Sequence, residues 1–150
     1  MSIFVISVSQ DMAGRAEQLY AILADYRVGH PAIVPKQYFR DLKIEDGGTG
    51  AGTVFRLELL VMGQTFKYHQ RVSEPQPGRV LKETDIDTGL STTFTVEPLG
   101  DGTQSRVTIS TEFKGGDGIG GAIQKFLTRL LTTRMYNEEL RNLAAYAQKN

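Results

Sequence analysis

With two histidines and no cysteine, the polar chemistry open to this chain is that of imidazole, carboxyl, hydroxyl, amide and guanidinium groups. Thiolate nucleophiles, disulfides and zinc–thiolate sites are excluded together. His30, followed by Pro31 in a bent segment, could donate to a ligand or move a proton, since an unperturbed imidazole titrates near ~6.5. Tyr68, Glu83 and Arg134 complete the set of candidate acid, base and orienting groups. Arg134 stands on a helical stripe that is otherwise apolar, so its guanidinium needs a carboxylate, a carbonyl or water. Glu83 or Asp85 could serve, provided their strand turns them inward. His69 falls on an outward strand position and reads as structural. Gly47 to Gly52 superficially suggests a phosphate cradle, but it leads into a strand and lacks a following Lys-Ser or Lys-Thr pair, so nucleotide binding is rejected. No metal-ligand cluster and no serine nucleophile elbow is present; no metal and no cofactor is expected.

These groups must be positioned by the elements around them, and the patterning defines those elements. Ser2 to Ser9 alternates as a strand that stops at Gln10-Asp11, where Asp11 can cap a helix. Ala16, Leu19, Tyr20, Leu23 and Ala24 recur at helical spacing within Ala13 to Tyr26. Arg27 to Pro35, with two prolines and a glycine, is a bent connector carrying at most a short helix. Six strands follow: Tyr38 to Glu45, Thr53 to Met62, Thr65 to Glu74, Arg79 to Asp85, Leu90 to Glu97 and Ser105 to Phe113, separated by turn residues. Their short connections make an antiparallel meander. After Gly115-Gly116-Asp117-Gly118 the chain is helical to about Gln148, roughly 30 residues or ~45 Å, long enough to cross a sheet.

Register follows from the turns. If Gly63-Gln64 is a two-residue turn with glycine first, Val61, Leu59, Leu57 and Phe55 oppose Phe66, Tyr68, Gln70 and Val72 on the inner face. Leu60, Glu58 and Arg56 then oppose Lys67, His69 and Arg71 outside. Across Gly100-Asp101-Gly102, Val96, Phe94 and Thr92 meet Val107, Ile109 and Thr111, with Phe113 further along the same face. For Arg79 to Asp85 both faces stay open: either Leu81, Glu83 and Asp85 point inward, or Val80, Lys82 and Thr84 do. The long helix presents Ile119, Ile123, Phe126, Leu127, Leu130 and Leu131 on one side, a stripe that continues through Arg134, Asn137 and Arg141 while apolar residues drift to Leu140, Leu143, Ala144 and Ala147. Either the helix leaves the sheet midway, or it carries polar groups over a cavity.

One strand, two short helices, a six-strand meander and a long final helix is an order that resembles the START and birch-pollen-allergen-like (SRPBCC) superfamily. The residues that carry the likeness are Gly47-Gly48-Thr49-Gly50-Ala51-Gly52-Thr53, Glu74-Pro75-Gln76-Pro77-Gly78, Gly102-Thr103 and the tail Glu139-Leu140-Arg141-Asn142-Leu143. Within the superfamily the chain looks most like the bacterial polyketide cyclase/dehydrase and lipid-transport branch. The resemblance implies an α+β helix-grip fold: a curved seven-stranded antiparallel sheet around a long C-terminal helix, with two short helices after the first strand, spanning residues 1–150 as one domain. It also implies a hydrophobic cavity between sheet and helix.

On that reading the candidate ligand contacts are Phe55, Leu57, Leu59, Phe66, Tyr68, Gln70, Thr92, Phe94, Ile109, Thr111, Phe113, Phe126, Leu130 and Arg134. Three functions compete. A carrier for a lipid, polyketide or similar apolar metabolite needs only the lined cavity. A cofactor-independent cyclase or dehydratase needs, in addition, paired acid and base groups among His30, Tyr68, Glu83 and Arg134. A regulatory partner-binding module needs an exposed apolar surface. With 17 basic and 17 acidic residues there is no net charge to collect nucleic acid, and no stretch approaches the ~18 apolar residues of a membrane span. The expectations are therefore a small hydrophobic ligand, no nucleic acid, no integral membrane association, a monomer or weak homodimer, and a cytoplasmic location, the N-terminus lacking a signal-peptide pattern.

Overall fold

The computed structural model describes residues 2–150. Seven antiparallel strands lie in the order β1-β7-β6-β5-β4-β3-β2: β1 Ser2–Ala13, β2 Phe39–Asp46, β3 Val54–Val61, β4 Gln64–Gln76, β5 Val80–Asp85, β6 Ser91–Leu99 and β7 Gln104–Gly115. Between β1 and β2 come α1 (Ala16–Ala24) and α2 (Gly29–Ile33), and the chain closes with α3 (Gly118–Lys149). The sheet is curved and α3 runs against it, a helix-grip fold. Alternation explains the strands. In β1, Ile6, Val8 and Met12 are buried while Ile3, Val5 and Ser7 are exposed, so period-two burial continues past the expected end at Ser9. Asp11 therefore caps nothing: it stays in the strand opposite Arg106, whose guanidinium donates to both carboxylate oxygens at 2.7 and 3.2 Å.

The β6–β7 register is as the turn predicts, with Thr92, Phe94 and Val96 opposite Thr111, Ile109 and Val107. The β3–β4 register is displaced by two residues. Leu59 pairs with Phe66, Leu57 with Tyr68, Phe55 with Gln70 and Arg56 with His69. The cause is the turn, which is centred on Met62-Gly63 with φ of 51° and 76°. Positive φ at both central residues is the primed geometry that matches strand twist, and here a methionine tolerates it. A shift of two preserves the faces, so each residue still points where the alternation puts it. His69 accordingly lies outside, 2.7 Å from a Glu45 carboxylate oxygen, and Arg56 donates to the other oxygen at 2.7 Å.

The face of β5 is settled by its partner. Leu81 pairs with Phe94 and Glu83 with Thr92, and paired residues share a face; Leu81, Glu83 and Asp85 are buried. The core gathers around α1, α2 and the C-terminal half of α3, with Leu19, Leu23, Ile33, Leu81, Val96, Ile109, Leu140 and Leu143 all nearly fully buried. Each such side chain contributes about 1.5–3 kcal/mol of burial. The rest of α3 reverses the sequence reading: Ile119, Ile123, Phe126, Leu127 and Leu130 are exposed.

Candidate functional site

Between the sheet and α3 lies a cavity of about 320 Å³, lined mostly by apolar side chains from β1, β2, β3, β4, β6, β7 and α3. Its two ends differ. Toward the start of α3 the lining includes exposed Phe66 and Gln124 and the lysines Lys114 and Lys125; at the other end it includes buried His30, Phe55, Glu83, Phe94 and Glu139. The first end is the mouth and the second is closed.

The closed end is built from the segment after α1. Backbone bonds from Tyr26 N to Gly48 O and from Gly50 N to Ala24 O clamp that segment onto the glycine-rich loop. Gly50 has φ 62°, and a Cβ there would meet the Glu74 carboxylate, so this loop is a structural clasp that only glycine permits. It sets Tyr26, fully buried, stacked on His30 at 4.6 Å and on Phe55 at 4.9 Å. His30 in turn meets Phe94 edge-on at 5.4 Å. The Tyr26 hydroxyl donates to Glu83 Oε2 at 2.7 Å.

His30 Nδ1 lies 2.8 Å from Leu23 O. A carbonyl only accepts, so Nδ1 carries the hydrogen and Nε2 faces Glu83 Oε2, 3.6 Å away. At 3.6 Å the two atoms stand just beyond hydrogen-bond distance, and they form an ion pair only when the imidazole is protonated. Burial pushes the Glu83 carboxyl up, offset in part by His30 and by the Tyr26 hydrogen bond. Glu139, buried on α3, is pushed up to about 8 by burial and then by the charge of Glu83. The closed end thus holds two buried carboxyl groups, both shifted upward, beside one buried imidazole in an otherwise apolar enclosure.

Further polar groups sit on the walls. Tyr136 OH, Thr111 Oγ1 and Thr92 Oγ1 form a chain with 2.5 and 2.8 Å steps. Tyr68 is pushed up, first by burial and then by Asp85. The Gln70 side-chain oxygen is buried with no hydrogen-bond partner. Among the described residues no group of side chains could hold a metal ion, and no helix is long and apolar enough to cross a membrane.

Residues 4–148 match the family described as polyketide cyclase/dehydrase and lipid transport. The chain belongs to that family. No curated protein matches it. Among solved structures, the KanY protein is similar over 99% of both chains at 24% identity with a TM-score of 0.84. The Zhui aromatase/cyclase from Streptomyces sp. R1128 is similar over 99% of this chain and 95% of its own, at 18% identity and a TM-score of 0.78. Norcoclaurine synthase from Thalictrum flavum, solved with dopamine and hydroxybenzaldehyde, is similar over 99% of this chain and 88% of its own, at 19% identity and a TM-score of 0.71. At these identities the likeness establishes the shared helix-grip fold.

For this member of the polyketide cyclase/dehydrase family, the structure brings many sequence candidates to one cavity: His30, Phe55, Leu57, Leu59, Phe66, Tyr68, Gln70, Glu83, Thr92, Phe94, Thr111 and Phe113 all line it. Ile109 does not, being packed in the core. Phe126, Leu130 and Arg134 are exposed on the outer side of α3, so Arg134 meets neither Glu83 nor Asp85. The stripe that faces the cavity belongs to the second half of α3. Projected back from buried Leu143 by four, seven, eight and eleven residues, it reaches Glu139, Tyr136, Met135 and Thr132, all buried cavity residues. Glu139 and Tyr136 were therefore legible. Tyr26, which donates to Glu83, carried no sequence signal beyond its place just after α1. The connector Arg27 to Pro35 closes the inner end of the cavity, with His30 and Ile33 almost completely buried.

Proposed function

We propose that the cavity binds an apolar, ring-bearing or polyketide-like small molecule and that the His30–Glu83 pair acts on it as acid and base, without a cofactor. The observation that carries this reading is the 3.6 Å approach of His30 Nε2 to Glu83 Oε2 at the closed end of an apolar cavity. In a β-hydroxy ketone held there, the carboxylate form of Glu83 removes the proton α to the carbonyl. The imidazolium form of His30 protonates the departing hydroxyl, so that a C–H and a C–O bond break, a C=C bond forms and water leaves. An intramolecular aldol closure uses the same two groups, the α-carbanion adding to a second carbonyl whose oxygen takes the proton. A pre-folded chain makes either step effectively unimolecular, a contribution of up to about 7–11 kcal/mol. The aromatase/cyclase likeness supports the reaction class, and the family description supports the ligand class.

Native mass spectrometry of protein purified from its own host identifies the ligand by mass. His30→Gln and Glu83→Gln are then expected to slow its conversion by about 10²–10⁴-fold while leaving its binding within a few-fold. A carrier role is favoured by one feature, that Tyr26 already occupies Glu83. Recovery of the bound molecule chemically unchanged, with both variants binding as the parent does, would support the carrier and refute the catalyst.

A further inference from the structure

We propose that the closed end of the cavity takes a cationic head group, a protonated amine on an aromatic or aliphatic body, seated against Glu139, Glu83 and the Gln70 side-chain oxygen. This deepens the reading that the cavity binds a small apolar molecule and rests on it. Glu139 is 3% exposed and lines the cavity, yet its carboxyl makes no hydrogen bond and no ion pair among the described residues. A buried carboxyl kept without a partner is costly, and such a group is retained where something else supplies the partner. A second acceptor points the same way, since Gln70 Oε1 is buried in the lining with no donor. Across the sheet, Gln70 pairs with Asp85 and Glu83 with Val72, which makes Gln70 and Glu83 diagonal neighbours on the inner face. Both contacts that the protein makes to Glu83 fall on Oε2.

No lysine or arginine answers these acceptors. Lys125 stands about 21 Å from Glu139 along α3 at 1.5 Å per residue, and Lys114 lies on the strand end beside the mouth. Among the described residues the only basic group at the closed end is His30, already placed against Leu23 O and Glu83. An ammonium group has three donors and one charge, which satisfies two carboxyl groups and an amide oxygen at once. The rings of Phe55 and Phe94 offer apolar contact to its body.

Binding of such a cation is coupled to protons. Glu139, held up to about 8, is mostly protonated at neutral pH, and an ammonium selects its carboxylate. Affinity therefore rises as pH increases toward 8 and levels off above it, with proton release on binding below it. The other titratable groups facing into the cavity are His30 from α2, Tyr68 from β4, Glu83 from β5, Lys114 from β7, and Lys125 and Tyr136 from α3. Glu139→Gln isolates its contribution from theirs, because glutamine copies the shape of the protonated acid.

Titration calorimetry with naphthylmethylammonium and its neutral counterpart naphthylmethanol, at pH 6 and 8 and in buffers of different ionisation enthalpy, tests this; Nile red fluorescence reports cavity binding separately. The amine should bind about tenfold or more tighter than the alcohol at pH 8, gain about tenfold between pH 6 and 8, and release protons. Glu139→Gln should abolish the preference and the proton release while Nile red still binds. Equal binding of amine and alcohol, or a preference that survives in Glu139→Gln, overturns the proposal and leaves the cavity reading standing. Failure of Nile red and both naphthyl probes to bind overturns the two together.

Discussion

The two halves of α3 are one helix by backbone and two different objects by environment. From Gly118 to Leu130 it turns Ile119, Ile123, Phe126, Leu127 and Leu130 to solvent and Gln124, Lys125 and Thr128 toward the cavity. From Thr132 to Ala147 it buries Met135, Tyr136, Leu140 and Leu143, together with Glu139. The difference lies in what faces each half. The second half packs on α1, α2 and the inner sheet, with Asn142 donating to Ile33 O at 2.9 Å and Gln18 to Ala147 O at 3.0 Å. The first half stands over the open mouth, where no second layer exists to bury an apolar stripe. A stripe of leucine and isoleucine is thus evidence of an amphipathic helix and not of the direction it faces.

That comparison can be broken outright at Leu140, which is 1% exposed. Leu140→Asp should unfold the chain at neutral pH, since burying an unpaired carboxylate costs several kcal/mol, comparable to the stability of a domain. Leu140→Ala should cost about 2–5 kcal/mol in urea denaturation. A cooperative transition at an unchanged midpoint for either variant would show the second half to be as exposed as the first.

A smaller effect separates the halves by pH. The Glu139 carboxyl is raised in the folded state from its ordinary 4.5 to about 8. Between those values the folded chain binds more protons than the unfolded one, so this group makes stability fall as pH rises through that interval and adds no slope above it. Glu139→Gln should flatten that part of the stability profile in denaturant titrations from pH 5 to 8, whereas a charge change at solvent-facing Arg134 should not. A parent profile identical to that of Glu139→Gln would show the carboxyl to be hydrated.

Gentler still is the mouth. Met62 holds φ at 51° in the β3–β4 turn, a conformation that asparagine adopts more readily. Met62→Asn, placing asparagine before Gly63 in a primed turn, should stabilise the fold by about 0.5–1 kcal/mol without touching the cavity. Loss of stability would argue for the glycine-first turn. Least of all should happen at Ile123, exposed on the first half: Ile123→Ser should change stability by no more than about 0.5 kcal/mol.

Much of the site was readable because strands repeat every two residues. Phe55, Leu57, Leu59, Tyr68 and Gln70 were assigned inward from alternation, and they remain inward even though the β3–β4 pairing is shifted by two. The face of β5 was also within reach, since Phe94 inward requires Leu81 and Glu83 inward once the two strands pair. Arg134 lies outside because it continues the most apolar run of α3 at helical spacing, and that run is the one left uncovered.

By itself the sequence determined the order of elements and the faces of the meander strands other than β5, because alternation and turn residues act within a few positions of one another, and the helix-grip fold followed from the family resemblance. It also carried the family resemblance, which the match over residues 4–148 establishes. Only the tertiary structure decided which way α3 faces and that Tyr26, His30, Glu83 and Glu139 meet. These four come from the segment after α1, from α2, from β5 and from α3. Local preference cannot relate them, since their approach depends on how the whole sheet curves and on the clasp that Gly48 and Gly50 place around Tyr26. The upward shift of the closed end's carboxyl groups arises from their common burial.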